Sequence, residues 1–199
     1  MAQEVLSKSD ARLIIWDLEI EKSLDDMPGE TQEEQWDAVR QGDAGISCLV
    51  LFDSQTQRYH LYDKHTLNEA VDHLNSADLL IGFNTISFDS EVIHGVTGRY
   101  ITVAQYDILH EIWKALGGRR KGWRLNDISK RLFGLEKTES GAGAPTLAKQ
   151  GRWAELMDYC LNDVHLTRLL FNHVVAKESI PDKDGEEVFL ARPWYEEAI

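Results

Sequence analysis

The segment Leu13-Ile14-Ile15-Trp16-Asp17-Leu18-Glu19-Ile20 decides the fold class of this 199-residue chain. Its apolar run, followed by alternating acidic and apolar residues, predicts a strand at about 12–20. Residues two apart in a strand point to the same face, so the side chains of Asp17 and Glu19 converge while Leu18 points into the core. Two carboxylates held that close repel each other unless a cation neutralises them. The segment therefore predicts a central strand with an acidic site near its end.

Strands and helices are predicted along the remainder of the chain from local patterns. Two apolar segments at about 46–52 and 59–62 flank Ser54-Gln55-Thr56-Gln57 and predict a hairpin, and a buried strand is expected at 79–83. Thr66-Leu67-Asn68-Glu69 has the sequence of a capping box that would open a helix. The predicted helices cover about residues 33–40, 66–74, 88–94, 107–116, 125–133 and 152–177. Early strands followed by alternating strands and helices predict an α/β fold with a mixed sheet.

The remaining segments are an insertion, a loop and the C-terminal end. Residues 21–43 form an acidic and polar stretch, interpreted as an insertion after the first strand. A Gly/Ala-rich loop is expected at 140–145, and residues 186–199 are expected to add an edge strand or to wrap the domain. Neither an internal repeat nor a domain boundary is evident, so one domain over residues 1–199 is expected, with its core at about 12–177.

Composition excludes several classes of protein. A hydrophobic content of 43% with 28% charged residues is ordinary for a globular protein and excludes a largely disordered one. No apolar run approaches the roughly 20 residues that cross a bilayer, and residues 1–12 lack the apolar stretch of a secretory signal. Only two cysteines, Cys48 and Cys160, are present, without the spacing of zinc ligands. A cytoplasmic protein without membrane association is expected.

A basic segment stands out against the net charge of −13. Between Ile112 and Arg152, ten basic residues face three acidic ones, so this segment carries +7 and the rest of the chain −20. A solvated helix face is the simpler interpretation of scattered lysines. The run Arg119-Arg120-Lys121-Gly122-Trp123-Arg124 instead favours a surface that follows a nucleic-acid backbone, with Trp123 stacking on a base.

Two further acidic residues follow elements that would bring them near the first strand. Asp89 comes after a buried strand and a glycine turn, in the first turn of the next predicted helix, where a negative charge is also favoured for structural reasons. Tyr159 and Asp163 lie four residues apart in the long last helix and therefore share one face. A polar pair beside a stripe of leucines indicates that this face borders a site, although each feature alone has a structural explanation.

Other polar residues carry weaker signals. Asp107 is predicted to cap the helix at 107–116, with a place beside the acidic site as the alternative. The seven histidines show no spacing typical of metal ligands and are interpreted as structural or surface groups. Cys160, next to Tyr159, is expected to be a packed thiol.

Three motifs together resemble the signature of a known family, the DEDDy exonucleases. They are Asp17-x-Glu19, Asn84-x-x-x-Phe88-Asp89 and Tyr159-x-x-x-Asp163, in the order that the family has them. The family includes the proofreading domains of DNA polymerases and the RNase D-like ribonucleases, and the resemblance covers about residues 14–171. Residues 122–135 also resemble the family's helix before the third motif. Asp158 stands where the sibling DEDDh group would place a histidine.

The resemblance implies a fold and a set of metal ligands. The fold is ribonuclease H-like, a mixed sheet of five to six strands flanked by helices. The cofactors implied are two divalent cations, Mg²⁺ or Mn²⁺, bridged by Asp17, with Glu19 and Asp163 holding the first and Asp89 supporting the second. Tyr159 is expected to orient the water that attacks the phosphorus. Carboxylates are the ligands that these hard cations prefer, which agrees with the implied roles.

The resemblance also implies a substrate and an activity. The expected activity is 3′→5′ exonuclease, acting on the 3′ end of single-stranded DNA or RNA, with DNA favoured. A replication or repair protein is an open possibility as partner. Two alternatives remain open: a nucleic-acid-binding module with little turnover, and a structure-selective endonuclease. The predicted nucleic-acid-binding residues are Asn84, Phe88, Arg119, Arg120, Lys121, Trp123 and Arg124.

Overall fold

A five-stranded mixed sheet forms the centre of the protein, whose structure, a computed structural model, describes residues 11–135, 143–191 and 193. Its strands are β1 (Leu13–Ile20), β2 (Ile46–Asp53), β3 (Arg58–Asp63), β4 (Leu79–Gly82) and β5 (Gln105–Asp107). The strand order is β3-β2-β1-β4-β5, so that the acidic strand β1 is central. Strand β1 pairs antiparallel with β2 and parallel with β4, and β4 pairs parallel with β5. The predicted α/β class is confirmed, in an arrangement compatible with a ribonuclease H-like fold.

Seven α-helices surround this sheet in the described part of the chain. They are α1 (Gln32–Arg40), α2 (Leu67–Leu74), α3 (Asp89–Thr97), α4 (Ile108–Ala115), α5 (Leu125–Phe133), α6 (Ala144–Lys149) and α7 (Trp153–Lys177). A short 3-10 helix, Leu24–Asp26, precedes α1. Two short strands near the end, β6 (Ser179–Pro181) and β7 (Glu187–Phe189), pair with each other. None of the described helices is long and apolar enough to cross a membrane.

The alternation of side chains along β1 divides the core into two layers. Leu13 and Ile15 face a layer that contains apolar residues of α4, α5, α6 and α7. Ile14, Trp16 and Leu18 face the other layer, which contains residues of α1, α2 and α3. Because side chains two apart share a face, Asp17 and Glu19 continue the row that faces α7. The alternation read from the sequence therefore fixes which helix the acidic pair meets.

The predicted capping box at the start of α2 does not form. Thr66 does not cap α2 with its side chain, because its hydroxyl donates instead to Asp63, 3.0 Å from the carboxylate Oδ1. A capping box does open α1, where the Glu34 N–H donates to Thr31 Oγ1 and the Thr31 N–H donates to Glu34 Oε2.

The predicted Gly/Ala-rich loop and the predicted C-terminal edge strand also differ from the structure. The expected Gly/Ala loop lies partly outside the described residues, and its end, Ala144 and Pro145, opens α6. The described part of the C-terminal segment, residues 186–191 and 193, does not extend the central sheet as an edge strand, because β7 pairs with β6. It does reach that sheet, since the Tyr106 hydroxyl donates to the main-chain oxygen of Ala191 at 2.8 Å.

The acidic insertion is an ordered part of the fold, and a close backbone contact attaches it to α3. A Cβ added at Gly95 in α3 would lie 2.4 Å from the main-chain oxygen of Val39 in α1. A Cβ at Gly42, just after α1, would lie 2.7 Å from the oxygen of Gly95. Gly42 also has φ of +90°, a conformation that L side chains rarely adopt. Two glycines therefore allow α1 to approach α3 closely.

Replacing Gly95 by alanine is expected to destabilise the protein. Alanine is the better helix former by about 0.5–1 kcal/mol, but its Cβ would overlap a backbone oxygen that cannot move alone. Forcing extra volume into such a contact costs roughly 1–3 kcal/mol, so the clash outweighs the gain in propensity. Denaturant unfolding of Gly95→Ala measures the difference.

Gly143→Ala is the matched control, because a Cβ there would lie 4.0 Å from the nearest atom, Pro145 Cδ. Its stability should fall by less than that of Gly95→Ala, because only the preference of the α6 N-cap for glycine over alanine is lost. A Gly95→Ala protein that is as stable as the wild type would mean that α1 and α3 are not in close contact.

Candidate active site

Strand β1 and helix α7 meet at the predicted acidic pair. Cys160 of α7 packs on Asp17, with its thiol donating to the Asp17 main-chain oxygen at 3.5 Å. One potential ligand atom from each of Asp17, Glu19 and Cys160 lies within 4.8 Å of the other two. Asp163 follows Cys160 by about one helical turn and is buried. The first and third predicted motifs are thus brought together in the fold.

Asp89, from the second motif, joins this group through the backbone of β1. It is the first residue of α3, and its Oδ1 accepts a hydrogen bond from the Leu18 N–H at 3.3 Å. Burial, together with the smaller effect of the negative charges of Asp107 and Asp163, raises the pKa of the Asp89 carboxyl to about 7, although backbone hydrogen bonds, including the one from Leu18, oppose the rise. Acidic side chains from three distant parts of the chain are therefore close enough to interact electrostatically.

These residues fit a site for divalent cations. The acidic side chains supply carboxylate oxygens, the ligands that Mg²⁺ and Mn²⁺ prefer. Their mutual repulsion and burial raise the pKa of Asp89, and a cation would relieve both. The thiol of Cys160 is not a competing anion. Burial, with contributions from Cys48 and from the charges of Asp17 and Glu19, raises its pKa well above the ordinary value, so the group stays protonated. This agrees with the packed thiol predicted from the sequence.

Asp107 orders the loop that leads to Asp89. Its buried carboxylate accepts hydrogen bonds from the N–H groups of Asn84 at 2.8 Å and Ile86 at 3.0 Å, both in the loop between β4 and α3. The same carboxylate accepts from the N–H groups of Leu109 and His110, in the first turn of α4. Asn84 has φ of +70°, a left-handed conformation that this loop requires. Asp107 is therefore both the predicted cap and a neighbour of the acidic site.

Tyr159 lies where the sequence predicts, one turn before Asp163 on α7. It is half-buried and packs against the core layer under α7. It is not among the described residues that line the neighbouring cleft. Tyr159 thus shares a helix face with Asp163, a metal-ligand candidate.

A cleft of about 980 Å³ connects the acids with the predicted basic segment. Asp17 and Asp163 lie at its acidic end. Its other lining residues come mainly from the segment between α4 and α5: Phe83, Asn84, Leu109, Trp113, Arg119, Arg120, Lys121, Gly122, Trp123, Arg124, Leu125, Asn126 and Asp127. The four basic residues predicted for nucleic-acid binding, and Asn84 with them, therefore open onto the same space as the acids.

The aromatic residues of the cleft differ from the prediction. Trp123 is only 7% exposed, and the Arg131 guanidinium lies over its ring, 5.2 Å from the centroid. Its face is largely covered, so the predicted stacking platform is not available there. Trp113 is half-buried and carries the Arg119 guanidinium 4.5 Å above its ring. The sequence analysis did not predict Trp113 as a residue of the cleft. Its place inside the basic segment, between Ile112 and Arg152, is the signal that could have identified it, because an aromatic residue among basic ones was the criterion applied to Trp123.

Phe88 is not in the cleft and instead contacts the insertion. Its ring packs edge-on against Trp36 of α1, with the centroids 5.8 Å apart. Phe88, which was predicted to contact the substrate, therefore packs against α1, a helix of the insertion for which the sequence predicts no function.

A serine, a histidine and an aspartate near the cleft do not form a hydrolytic triad. Ser87 Oγ lies 2.6 Å from His110 Nε2. Asp107 Oδ2 approaches the same nitrogen at 3.9 Å, whereas a triad requires the carboxylate on the other ring nitrogen. This arrangement excludes nucleophilic catalysis by Ser87 through that histidine.

A second group of metal-ligand type, Asp53, His60 and His73, holds an arginine instead. The Arg12 guanidinium nitrogen NH2 lies 2.8 Å from Asp53 Oδ2 and 2.9 Å from His73 Nε2. Although burial opposes it, this hydrogen bond and those from Gln55 and His73 lower the pKa of Asp53 well below its ordinary value. A fixed cation already neutralises this carboxylate, which agrees with a structural role for these histidines.

Comparison with known proteins adds a likeness in fold. No protein-family model matches the chain, and no curated protein matches it either. Among solved structures, it is similar to the family B DNA polymerase from the hyperthermophilic archaeon Pyrobaculum calidifontis, with a TM-score of 0.61 and 13% sequence identity. The matched region covers 83% of this chain and 24% of the polymerase chain. The chain therefore shares the fold of about a quarter of that polymerase.

Without divalent cations, Asp89 is expected to make the protein less stable as the pH rises. A carboxyl whose pKa is raised on folding binds more protons in the native state than in the unfolded one. The free energy of unfolding therefore falls as the pH rises from the ordinary value of 3.8 toward about 7. Asp89→Asn should lose this component and become the more stable protein above that range. The measurement is the difference in melting temperature between the two proteins across pH.

Asp43→Asn serves as the control, because Asp43 is exposed and should leave the pH dependence unchanged. Adding Mn²⁺ above neutral pH should raise the melting temperature of the wild type more than that of Asp89→Asn. Identical pH profiles for the wild type and Asp89→Asn would contradict the placement of Asp89 among buried acids.

Proposed function

We propose that the protein is a metal-dependent 3′→5′ exonuclease of the DEDDy type, acting on single-stranded nucleic acid with DNA favoured. One observation carries the proposal: Asp17 of β1 and Asp163 of α7 line the same cleft as four basic residues, and Asp89 of α3 is hydrogen-bonded to the backbone of β1 next to Asp17. The likeness in fold to a family B DNA polymerase supports a nucleic-acid substrate.

The charges of the cleft suit a phosphodiester substrate. Arg119, Arg120, Lys121 and Arg124 would bind the phosphates of the strand, since these contacts supply most of the sequence-independent affinity. The acids would repel the same phosphates unless their charge were offset, so that binding of the scissile phosphate depends on bound cations. The chemistry supplied by two divalent cations is a nucleophilic water at neutral pH and charge compensation at the attacking and leaving oxygens.

The acidic side chains and Tyr159 have distinct parts in this proposal. Asp17, Glu19, Asp89 and Asp163 would hold the divalent cations through their carboxylate oxygens. Tyr159 would hold the attacking water with its hydroxyl and fix its direction. The contacts of Asp107 with the loop before α3 would hold Asn84 in the lining of the cleft, where it would contact the 3′-terminal nucleotide.

A second candidate function is a binding module with little turnover. It is favoured by the half-buried side chain of Tyr159, which packs against the core layer under α7 and is not among the described residues that line the cleft. The two candidates differ in one result, the release of nucleotides.

The assay uses single-stranded DNA and RNA labelled at the 5′ end, with Mg²⁺, Mn²⁺ or EDTA. We expect products that shorten one nucleotide at a time from the 3′ end, and none in EDTA. Asp163→Asn should abolish the activity because it removes a carboxylate ligand. Degradation that persists after complete chelation would overturn the two-metal mechanism, and binding without any hydrolysis would favour the binding module.

Tyr159→Phe tests the tyrosine within the same assay. Positioned catalytic groups contribute ~10²–10⁴-fold, and their loss affects turnover more than binding because the water is oriented in the transition state. Tyr100→Phe is the control, since Tyr100 is 65% exposed and lies outside the cleft. Equal rates for both variants and the wild type would remove Tyr159 from the mechanism.

Neutralising the basic wall of the cleft should weaken binding and leave the chemistry intact. Replacing Arg119, Arg120, Lys121 and Arg124 by glutamine should make the slope of log affinity against log salt shallower by about 0.7 per lost phosphate contact. Binding of single-stranded DNA is measured in Ca²⁺ at several salt concentrations, and hydrolysis at saturating substrate in Mg²⁺.

The control replaces four exposed basic residues outside the cleft by glutamine, which keeps the change in net charge the same. These residues are Arg58, Lys64, Lys177 and Lys183. Their loss should leave the salt slope close to that of the wild type. Equal slopes in the two quadruple variants would mean that the strand follows another surface.

A further inference from the structure

A second, smaller cleft lies within the acidic insertion. Its volume is about 290 Å³, and its walls are formed by Leu24, Asp25, Gln32, Gln35 and Trp36. The first two residues belong to the 3-10 helix, and the other three lie on one face of α1, at positions i, i+3 and i+4. The cleft is thus a space between two helical segments of the insertion.

Rigid local structure holds both walls. The reciprocal hydrogen bonds between Thr31 and Glu34 fix the start of α1. The close contact at Gly95 fixes α1 against α3. On the other wall, Ser23 Oγ accepts a hydrogen bond from the Asp25 N–H, and Asp26 pairs with Lys149 of α6 at 3.0 Å. The cleft is therefore built into the fold rather than formed by a loose loop.

The chemistry of these walls selects a class of ligand. Trp36 offers a flat aromatic surface, and Gln32 and Gln35 each offer a carboxamide that both donates and accepts hydrogen bonds. Asp25 adds a carboxylate that only accepts. None of the described lining residues is basic, which disfavours a phosphate. A nucleobase has both required features, a π face that stacks on indole and a polar edge with donors and acceptors.

The cleft borders the candidate active site through one aromatic contact. Trp36 packs against Phe88 with centroids 5.8 Å apart, and Phe88 directly precedes Asp89. The insertion cleft is thus linked through Phe88 to the helix that carries Asp89, and its walls are neutral and acidic where the basic cleft carries four cationic side chains. A strand whose phosphates follow the basic wall could place a base in the second cleft.

We infer that the insertion cleft binds one base of the substrate strand and prefers bases that carry an exocyclic amino group. The inference rests on the proposed function for its substrate. Asp25 can accept a hydrogen bond from the amino group of adenine or cytosine, and the glutamines can bind the neighbouring ring positions. Thymine and uracil present carbonyl oxygens in place of that amino group, and these would face the carboxylate. The insertion then sets base preference, while the acids set the reaction.

The test uses nucleosides, which lack phosphate and so have no affinity for the basic wall. Deoxyadenosine, deoxycytidine and thymidine are titrated into the isotopically labelled full chain, and side-chain N–H signals are followed by NMR. We expect the two amino-bearing nucleosides to shift the Trp36 indole and the Gln32 and Gln35 carboxamide signals. Thymidine should bind at least about fivefold more weakly, the equivalent of the lower range for one good base contact.

Conservative variants separate the cleft from the fold. Asp25→Asn should reduce the preference for amino-bearing nucleosides, because the amide can also donate to a carbonyl, and Gln35→Ala should weaken all three. Gln41→Ala, exposed at the end of α1 and outside the cleft, is the control and should behave as the wild type. The same variants are tested for hydrolysis of strands that end in different bases.

The outcomes are distinguishable from those of the nuclease assay. Nucleoside binding at Trp36 without hydrolysis of any strand would overturn the exonuclease proposal and leave the base cleft in place. Hydrolysis with no shift at Trp36, Gln32 or Gln35 up to the solubility limit of the nucleosides would overturn the base cleft alone. Equal shifts by thymidine and deoxyadenosine would overturn the preference for amino groups.

Discussion

Repulsion among buried carboxylates is the constraint on which the rest of this structure depends. Asp89 is buried beside Asp107 and Asp163; its burial in the first place, and repulsion from these two charges in the second, raise its pKa to about 7. Three segments separated by most of the chain must be held in place against that repulsion. The central position of β1 achieves this, because a parallel partner, β4, leads to α3, and α7 packs across the same face. A proton or a cation must then complete the site.

Local patterns predicted the elements that carry the acids, and long-range contacts account for what the sequence could not predict. The alternation of apolar and acidic residues in β1 and the four-residue spacing of Tyr159 and Asp163 in α7 involve residues close together in the sequence, so both could be predicted from it. The left-handed Asn84 and its hydrogen bond to Asp107 span 23 residues, and no local pattern encodes them. Thr66 illustrates the opposite error, since its side chain had a correct local motif but a stronger partner in Asp63.

The distribution of charge explains how an acidic protein can offer a site to a polyanion. The net charge is −13, yet the exposed basic residues between α4 and α5 line a single cleft. In the proposed function, most of the surface would repel nucleic acid at long range, whereas the basic residues of the cleft would attract it. Trp113 adds an aromatic surface under Arg119 at this place. The acidic remainder of the surface would also disfavour non-specific binding of nucleic acid outside the cleft. The net negative charge would then restrict binding to the cleft rather than prevent it.

The single carboxylate of Asp107 also determines how this region opens. It accepts from two N–H groups before α3 and from two in the first turn of α4. If either segment moved away, the buried carboxylate would lose two of its four hydrogen bonds, so partial opening is unfavourable on both sides. The four amides consequently belong to one cooperative unit of hydrogen exchange, although they lie in different elements. Thermal fluctuations at the mouth of the cleft are then all-or-none, and the loop and the helix start share one lifetime.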